Sequence, residues 1–168
     1  MKEIFNDIIG FEGFYQVSNL GNVKSLERQV KNGNGFRKVR ERILKQTINS
    51  RGYKMIGLNK NNNVKKIEVH QLVAIAFLNH NPNGYEIVVD HINNNKTDNR
   101  LINLQLITHR ENIVKSNIKK SKPIGITYVK ANKNWRARIM INGVRQSLGS
   151  FIKKEEAIKA YANKLKAL

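Results

Sequence analysis

Asn142-Gly143 separates two alternating runs, Trp135 to Ile141 and Val144 to Leu148. An Asn-Gly loop takes positive φ at both positions, follows the twist of paired strands and closes them into an antiparallel hairpin. The same punctuation recurs upstream. Tyr15-Gln16-Val17-Ser18 and Val23-Lys24-Ser25-Leu26 alternate apolar and polar on either side of Asn19-Leu20-Gly21-Asn22, where Gly21 is free to take φ > 0. Gly52 to Asn59 and Val64 to Glu68 flank Asn61-Asn62-Asn63 in the same way. The chain is therefore assembled from short antiparallel pieces, with helices fitted between them. Its 168 residues allow one ordinary domain or two or three small ones.

Other segments follow from their patterning. Residues 29–40 (QVKNGNGFRKVR) read as a mobile basic loop. Val69 to Leu78 has helical composition and ends before the Asn/Pro/Gly cluster at 79–84. Glu86 to Asp90 and Leu104 to Ile107 are short strands. Thr108 followed three residues later by Glu111 has the capping-box pattern, which predicts a helix from Thr108 to about Asn117. Residues 119–123 read as a linker. Ile126 to Lys130 adds a third strand to the Asn142-Gly143 hairpin, and Lys153 to Leu168 repeats apolar residues at 157, 158, 161, 162 and 165, one face of a helix. The expectation is a modular α+β chain. It has a β-rich region over 1–84 with a helix at about 69–78, a ββα unit over 85–118, a linker at 119–123, and a three-stranded antiparallel sheet with one helix over 124–168.

Charge narrows the partner. Lys and Arg number 31 against 12 acidic residues, a net charge of +19. Such an excess suits a polyanion, because neutralised phosphates release condensed counterions. The excess is uneven: 14 basic and 6 acidic residues in 1–84, 6 and 4 in 85–120, and 11 and 2 in 121–168. A nearly neutral middle between basic flanks fits a chain that grips DNA on either side of a metal-dependent site. No apolar run approaches the ~20 residues needed to span a bilayer, and no basic amphipathic helix offers itself to a membrane surface. MKEIFNDIIG lacks the pattern of a signal peptide. The absence of cysteine removes disulfides and Cys-ligated zinc and fits a reducing cytoplasm.

The chemistry-bearing stretch is VVDHINNNKTDNR, residues 88–100. An apolar strand finishes on Asp90-His91. Asn103 opens the next strand, and Asn112 lies one turn inside the expected helix. In a ββα unit these four points can converge. A carboxylate and an amide oxygen are hard ligands suited to Mg²⁺ or Mn²⁺. A neighbouring histidine can deprotonate water. An Asn can fix the imidazole's tautomer by accepting from its second nitrogen, or can hold the loop that does so. Metal ligand, base and orienter are the parts that phosphodiester hydrolysis needs.

The pattern DH(x11)N(x8)N resembles the HNH nuclease motif, the ββα-metal finger, in the form found in phage intron-encoded and free-standing homing endonucleases. FEGFYQVSNLGNVKSL (11–26) is similar to the nuclease-associated modular domain that precedes HNH in that family. RGYKMIGL (51–58), VHQLVAIAF (69–77), VVDHINNNKTDNRLINLQLIT (88–108) and EN (111–112) follow in the family's order. The resemblance spans about residues 8 to 117. It implies His91 as the general base, Asp90 and Asn112 as ligands of one divalent metal at the scissile phosphate, and Asn103 as the residue that positions His91. Many HNH enzymes have a second His where this chain has Asn112. An amide oxygen there weakens the case for tight zinc binding.

GITYVKANKNWRARIMINGVRQSLGSFIKKEEAIKAYANKLKAL, within 124–168, resembles the Apetala/ethylene-response-factor DNA-binding domain, through W-x-A-x-I at 135–139, LGSF at 148–151 and EEAIKAY at 155–161. That family lays its sheet in the major groove with the helix behind. Alternation gives the same division: Trp135, Ala137 and Ile139 toward the helix, Arg136 and Arg138 toward DNA, with Arg145 and Ser147 on the corresponding face of the next strand. Arg136, Arg138, Arg145, Lys130, Lys24 and Arg51 are the candidate DNA contacts. Trp135 and Tyr53 read as packing residues, His70 as a helix-start or packing residue, and His109 as an exposed first-turn residue or phosphate contact. His80 receives no role, and Arg37, Lys38, Arg40 and Arg42 form either a solvated run or a DNA contact.

The resemblance implies a Mg²⁺- or Mn²⁺-dependent DNA endonuclease acting as a monomer on double-stranded DNA at a long site. It would need no small-molecule cofactor, and it would work in the cytoplasm of a phage-infected or bacterial cell. One active site per chain favours nicking, leaving 5′-phosphate and 3′-hydroxyl ends. The rival is a non-enzymatic, sequence-specific DNA-binding regulator derived from such a nuclease.

Overall fold

The computed structural model describes residues 2–82, 84, 86–119 and 125–168. The chain forms two compact units, Met1–Ile107 and Thr108–Leu168. Most of the expected linker, residues 120–123, lies outside the described residues, and Lys119 ends a helix.

The first unit opens with β1 (Phe5–Asp7), β2 (Tyr15–Ser18) and β3 (Val23–Ser25). These join β6 (Arg42–Ile43) in an antiparallel sheet ordered β1-β2-β3-β6. Val17 and Val23 alternate onto the core face and are fully buried, as their spacing predicts. A second sheet holds β7 (Thr47–Ile48), β8 (Lys54–Lys60) and β9 (Asn63–Glu68). Its β8–β9 connection is the predicted Asn turn, with Asn61 and Asn62 at φ 55° and 63°. The Tyr15 hydroxyl ties the two sheets together: it donates to the Asn59 carbonyl (3.1 Å) and accepts from the Asn59 amide (3.2 Å). Helix α1 (Val69–Phe77) lays Val69, Leu72 and Val73 into the same core as Val17, Val23, Ile56 and Leu58.

Residues 29–40 depart from the expectation of a loop. They are largely β4 (Arg28–Asn32) and β5 (Gly35–Val39), an antiparallel hairpin turning at Gly33. Both faces are mainly polar, so no apolar stripe marks it in the sequence. At its root Arg28 lies over the Phe14 and Tyr15 rings, at 5.0 and 5.1 Å, and donates to the Leu26 carbonyl (2.9 Å).

The ββα order of elements is present. β10 (Ile87–His91) pairs with β11 (Leu104–Thr108), and α2 (His109–Lys119) follows. The first strand runs one residue further than the expected Glu86–Asp90 and includes His91. The capping box is formed: the Thr108 hydroxyl accepts from the Glu111 amide (3.1 Å), and the Glu111 carboxylate accepts from the Thr108 amide (2.8 Å).

In the second unit β12 (Ile126–Val129), β13 (Asn134–Ile141) and β14 (Val144–Phe151) form an antiparallel sheet in sequence order. Asn142 and Gly143, at φ 49° and 79°, make the predicted tight turn. The last strand continues through Leu148 to Phe151, and a register shift between Ala137 and Arg138 absorbs the extra residue. Helix α3 (Lys154–Lys166) buries Ala157, Tyr161 and Leu165, and Tyr161 and Leu165 share a core with Ile139. Among the described residues no helix is long and apolar enough to cross a membrane.

Candidate active site

Strand β10 delivers Asp90 and His91 side by side, and both are buried, at 8% and 5% exposure. Adjacent residues on a strand point to opposite faces, so the two side chains have different neighbours. The Asp90 carboxylate accepts from Gln105 Nε2 on the paired strand, at 2.7 Å. That bond fixes the orientation of a hard oxygen donor in a buried position, as an outer-shell partner of a metal ligand does. The donor chemistry fits a small hard divalent cation. Among the described residues no group of three or more His, Asp or Glu side chains forms a metal cage. A site here would be completed by amide oxygens and waters. Asn112 lies one turn into α2, half-buried, in the second unit.

The His91 ring is bounded on several sides. Its Nε2 lies 3.0 Å from Asn99 Oδ1, a buried pair. The His70 ring meets it edge to face with centroids 5.2 Å apart, and the Tyr53 ring lies 5.9 Å away. Tyr53 and His70 also pack on each other at 4.8 Å. Burial raises the Tyr53 hydroxyl above its usual pKa, so the ring stays neutral.

Asn103 is bonded to the loop that follows His91. Its Oδ1 accepts from the Asn93 amide (3.0 Å), its Nδ2 donates to the Asp98 carbonyl (2.8 Å), and its own carbonyl accepts from the Ile92 amide (2.8 Å). It pins both limbs of the loop that follows His91, so of the alternatives open in the sequence the geometry is that of loop-holding. Within this loop Asn93 Oδ1 and Asn95 Oδ1 cap the amides two residues on, at 2.8 and 3.1 Å. Asp98 takes the Arg100 guanidinium on both oxygens at 2.7 Å, which holds its carboxyl down to about 2. The amides of 93–99 are thus loop architecture, apart from Asn99.

Two neighbours of His91 carry no functional mark in the sequence. Asn99 is one amide among many, with nothing in composition to single it out. His70 has the pattern of a helix-start or packing residue. It is 3% exposed, burial lowers its pKa to about 3, and it lies against the candidate base. His80, without a role in the sequence pattern, is buried behind the end of α1, where its amide bonds to the Ala74 carbonyl (3.2 Å). His109 is exposed in the first turn of α2.

The candidate DNA contacts fall in separate places. On β13, Arg136 and Arg138 share the face opposite the buried Ala137 and Ile139. Cross-strand pairing sets Arg138 opposite Ser147, and Met140 opposite the exposed Arg145, on that same face. Lys130 is exposed in the turn before β13. Arg51 is mostly exposed but reaches Glu68 at 2.7 Å. Lys24 is engaged internally, 3.4 Å from Glu41 and over the Phe5 ring. Trp135 packs on Tyr128, with centroids 5.1 Å apart and the Lys154 ammonium above its ring.

A strand ending in Asp-His, a returning strand braced by Asn and a capped helix define the HNH class of nuclease motif. Residues 68–114 match the HNH endonuclease family, and residues 3–59 match the NUMOD4 motif. The chain is 41% identical over 111 residues to the DNA endonuclease I-HmuI of Bacillus phage SP01, covering 65% of this chain and 55% of that protein. It is 38% identical over 85 residues to the uncharacterized HNH endonuclease L245 of Acanthamoeba polyphaga mimivirus, covering 51% and 25%. A solved structure titled for DNA binding and cleavage by the HNH homing endonuclease I-HmuI aligns with a TM-score of 0.53 and 31% identity, over 86% of this chain and 76% of the other. The chain belongs to the phage-type HNH homing endonuclease family. It spans about half the length of I-HmuI and a quarter of L245.

Proposed function

We propose that this chain is a DNA endonuclease of the homing type that hydrolyses phosphodiester bonds with one divalent metal ion, Mg²⁺ or Mn²⁺. The observation that carries the reading is the buried Asp90-His91 pair at the end of β10, its carboxylate hydrogen-bonded to Gln105 and its imidazole Nε2 3.0 Å from Asn99 Oδ1. In this reading His91 takes the proton of the attacking water. The water oxygen bonds to phosphorus as the bond to the 3′ oxygen breaks, and that oxygen takes a proton from solvent, leaving a 5′ phosphate and a 3′ hydroxyl. Asp90 is the metal ligand of the first unit, and the family pattern adds Asn112. The bound ion supplies neutralisation of charge on the phosphate and the leaving oxygen. A single active site per chain favours nicking by a monomer on double-stranded DNA. The open face of β13 and β14, with Arg136, Arg138 and Arg145, and the exposed Lys130 and Arg51, supply phosphate and base contacts.

The deciding experiment is a cleavage assay on phage DNA with and without Mg²⁺ or Mn²⁺. Wild-type protein should nick DNA with the metal and stop when the metal is chelated, and His91→Ala should bind DNA without cutting. Tight, sequence-specific binding with no metal-dependent cleavage by the wild type would instead make the chain a regulator. Cleavage by His91→Ala at the wild-type rate would remove His91 from the mechanism.

A further inference from the structure

The N-terminal module is tied directly to the loop beside His91. The turn between β2 and β3 presents Gly21 to Asn99. Gly21 has φ +81°, and a Cβ built there would stand 2.9 Å from Asn99 Cβ and 3.0 Å from the Asn99 carbonyl oxygen. No side chain fits at position 21 unless Asn99 moves. The turn is itself rigidly held. The Gly21 amide bonds to the Ser18 carbonyl (2.9 Å), and Gln46 Nε2 donates to the Gly21 carbonyl (2.7 Å). The Ser18 hydroxyl accepts from the Leu20 and Asn22 amides, at 3.2 and 3.0 Å. Next to Asn99, the Leu101 amide donates to the Asn19 carbonyl (2.8 Å), so the loop is stitched to the turn beside the contact.

Asn99 is 4% exposed, and its side-chain oxygen is paired with His91 Nε2. Its Nδ2 is buried with no partner among the described residues. A buried amide with one group unmet carries an uncompensated desolvation penalty. An arrangement kept at that cost points to a task for the other group. An amide oxygen can only accept, so it selects an imidazole that carries a proton on Nε2. In the neutral ring the lone pair is then on Nδ1.

We infer that Asn99 is a positioning residue for His91, that its side-chain oxygen holds the imidazole in the Nε2–H tautomer, and that the Gly21 turn of the N-terminal module holds Asn99. The inference rests on the reading of His91 as the base. It gives the β2–β3 turn a part in the cleavage step that is separate from gripping DNA. Asn103 and Asn99 then divide the work, the first closing the loop and the second orienting the ring.

The test compares Asn99→Leu, which keeps the bulk and loses the acceptor, with Asn99→Asp, which keeps an acceptor. Single-turnover cleavage, DNA affinity and the imidazole ¹⁵N spectrum of histidine-labelled protein are measured for each, with His91 assigned from the signals that disappear in His91→Gln. Asn99→Leu should cleave about 10- to 100-fold more slowly, by analogy with loss of the outer-shell partner of a metal-bound histidine. Its DNA affinity should be unchanged, and its His91 signals should leave the Nε2–H position. Asn99→Asp should keep both the rate and the Nε2–H signature. Gly21→Ala should slow cleavage in wild-type protein and add no further loss to Asn99→Leu. If Asn99→Leu does not fold, Asn99→Ala takes its place in every measurement. Wild-type cleavage by Asn99→Leu, an Asn99→Asp as slow as Asn99→Leu, or an unmoved His91 signature would each overturn the inference. Cleavage by His91→Ala would overturn the base reading alone, because the nitrogen spectrum reports the Asn99–His91 bond without any reaction.

Discussion

The His70 and His91 rings meet edge to face, with centroids 5.2 Å apart and planes inclined by 65°. A deeply buried imidazole is thus packed against a second imidazole whose charge it would oppose. Burial is the largest cause of the depressed His70 pKa, and electrostatic repulsion involving His91 and Arg51 adds to it. Glu68 lies 3.6 Å from His70 Nε2, but its other oxygen already accepts from Asn49 and Arg51. Its attraction does not offset the burial. Protonation would put a hydrogen on both ring nitrogens, and among the described residues Nδ1 has no partner to receive it.

A pH dependence of stability follows. With a folded pKa near 3 and an ordinary value near 6.5, the unfolded chain binds the proton more readily. The neutral His70 therefore contributes its full stability above about pH 6.5, and the contribution is lost as pH falls toward 3. Thermal melting followed across that window should show the wild-type midpoint dropping. His70→Phe, which packs against Tyr53 without a titrating nitrogen, should flatten the acid side of the curve. A variant that loses stability with acid as steeply as the wild type would show that His70 is not the group responsible.

Much of this architecture is legible in the sequence because local signals agree with it. The Asn61-Asn62 and Asn142-Gly143 turns, the Thr108-Glu111 box and the apolar spacing of Ala157, Tyr161 and Leu165 each act over a few residues, and each is present. The β4–β5 hairpin is not legible, because strands that are mainly polar on both faces have no apolar alternation. His70 and Tyr53 are hidden for a different reason. Their contact with His91 spans long stretches of chain, and nothing in either local pattern encodes the partner. Asn99 stands in a run of amides whose neighbours serve only the loop, and its contact with Gly21 depends on a tertiary approach.

Asn103 offers a prediction about the loop itself. Its side chain satisfies the Asn93 amide and the Asp98 carbonyl, and it is buried at 6% exposure. Asn103→Ala leaves two backbone groups without these partners, at a cost of about 1–3 kcal/mol for each that water cannot reach. Denaturant unfolding should report a destabilisation in that range. Amide exchange at Asn93 should quicken more than exchange in β2 or β8, because the loop opens before the core does. Asn103→Asp keeps the acceptor for the Asn93 amide but loses the donor to Asp98, and should fall between wild type and Asn103→Ala. If Asn93 exchange is unchanged in Asn103→Ala, the loop is held by its other bonds.

The open face of the second sheet gives the last prediction. Arg136 and Arg138 alternate along β13 with the buried Ala137 and Ile139 and are half-exposed. Fixing two half-exposed guanidinium groups on one face does nothing for the core and suits a phosphate or a base edge. Binding measured by fluorescence anisotropy over a range of salt concentrations separates these. Removing one arginine–phosphate pair should reduce the slope of log affinity against log salt by about one, so replacing both arginines by Ala should flatten it by up to about two if both meet phosphate. Removing an arginine that reads a base edge would weaken binding by about 1–3 kcal/mol on the preferred sequence and much less on random DNA. Met140→Ala, on the same face between the Arg138 and Arg145 positions, controls for loss of shape without loss of charge, and should leave the slope where it is. Affinity and slope that match wild type in the double arginine variant would remove this face from the DNA interface and leave the basic first unit to account for binding.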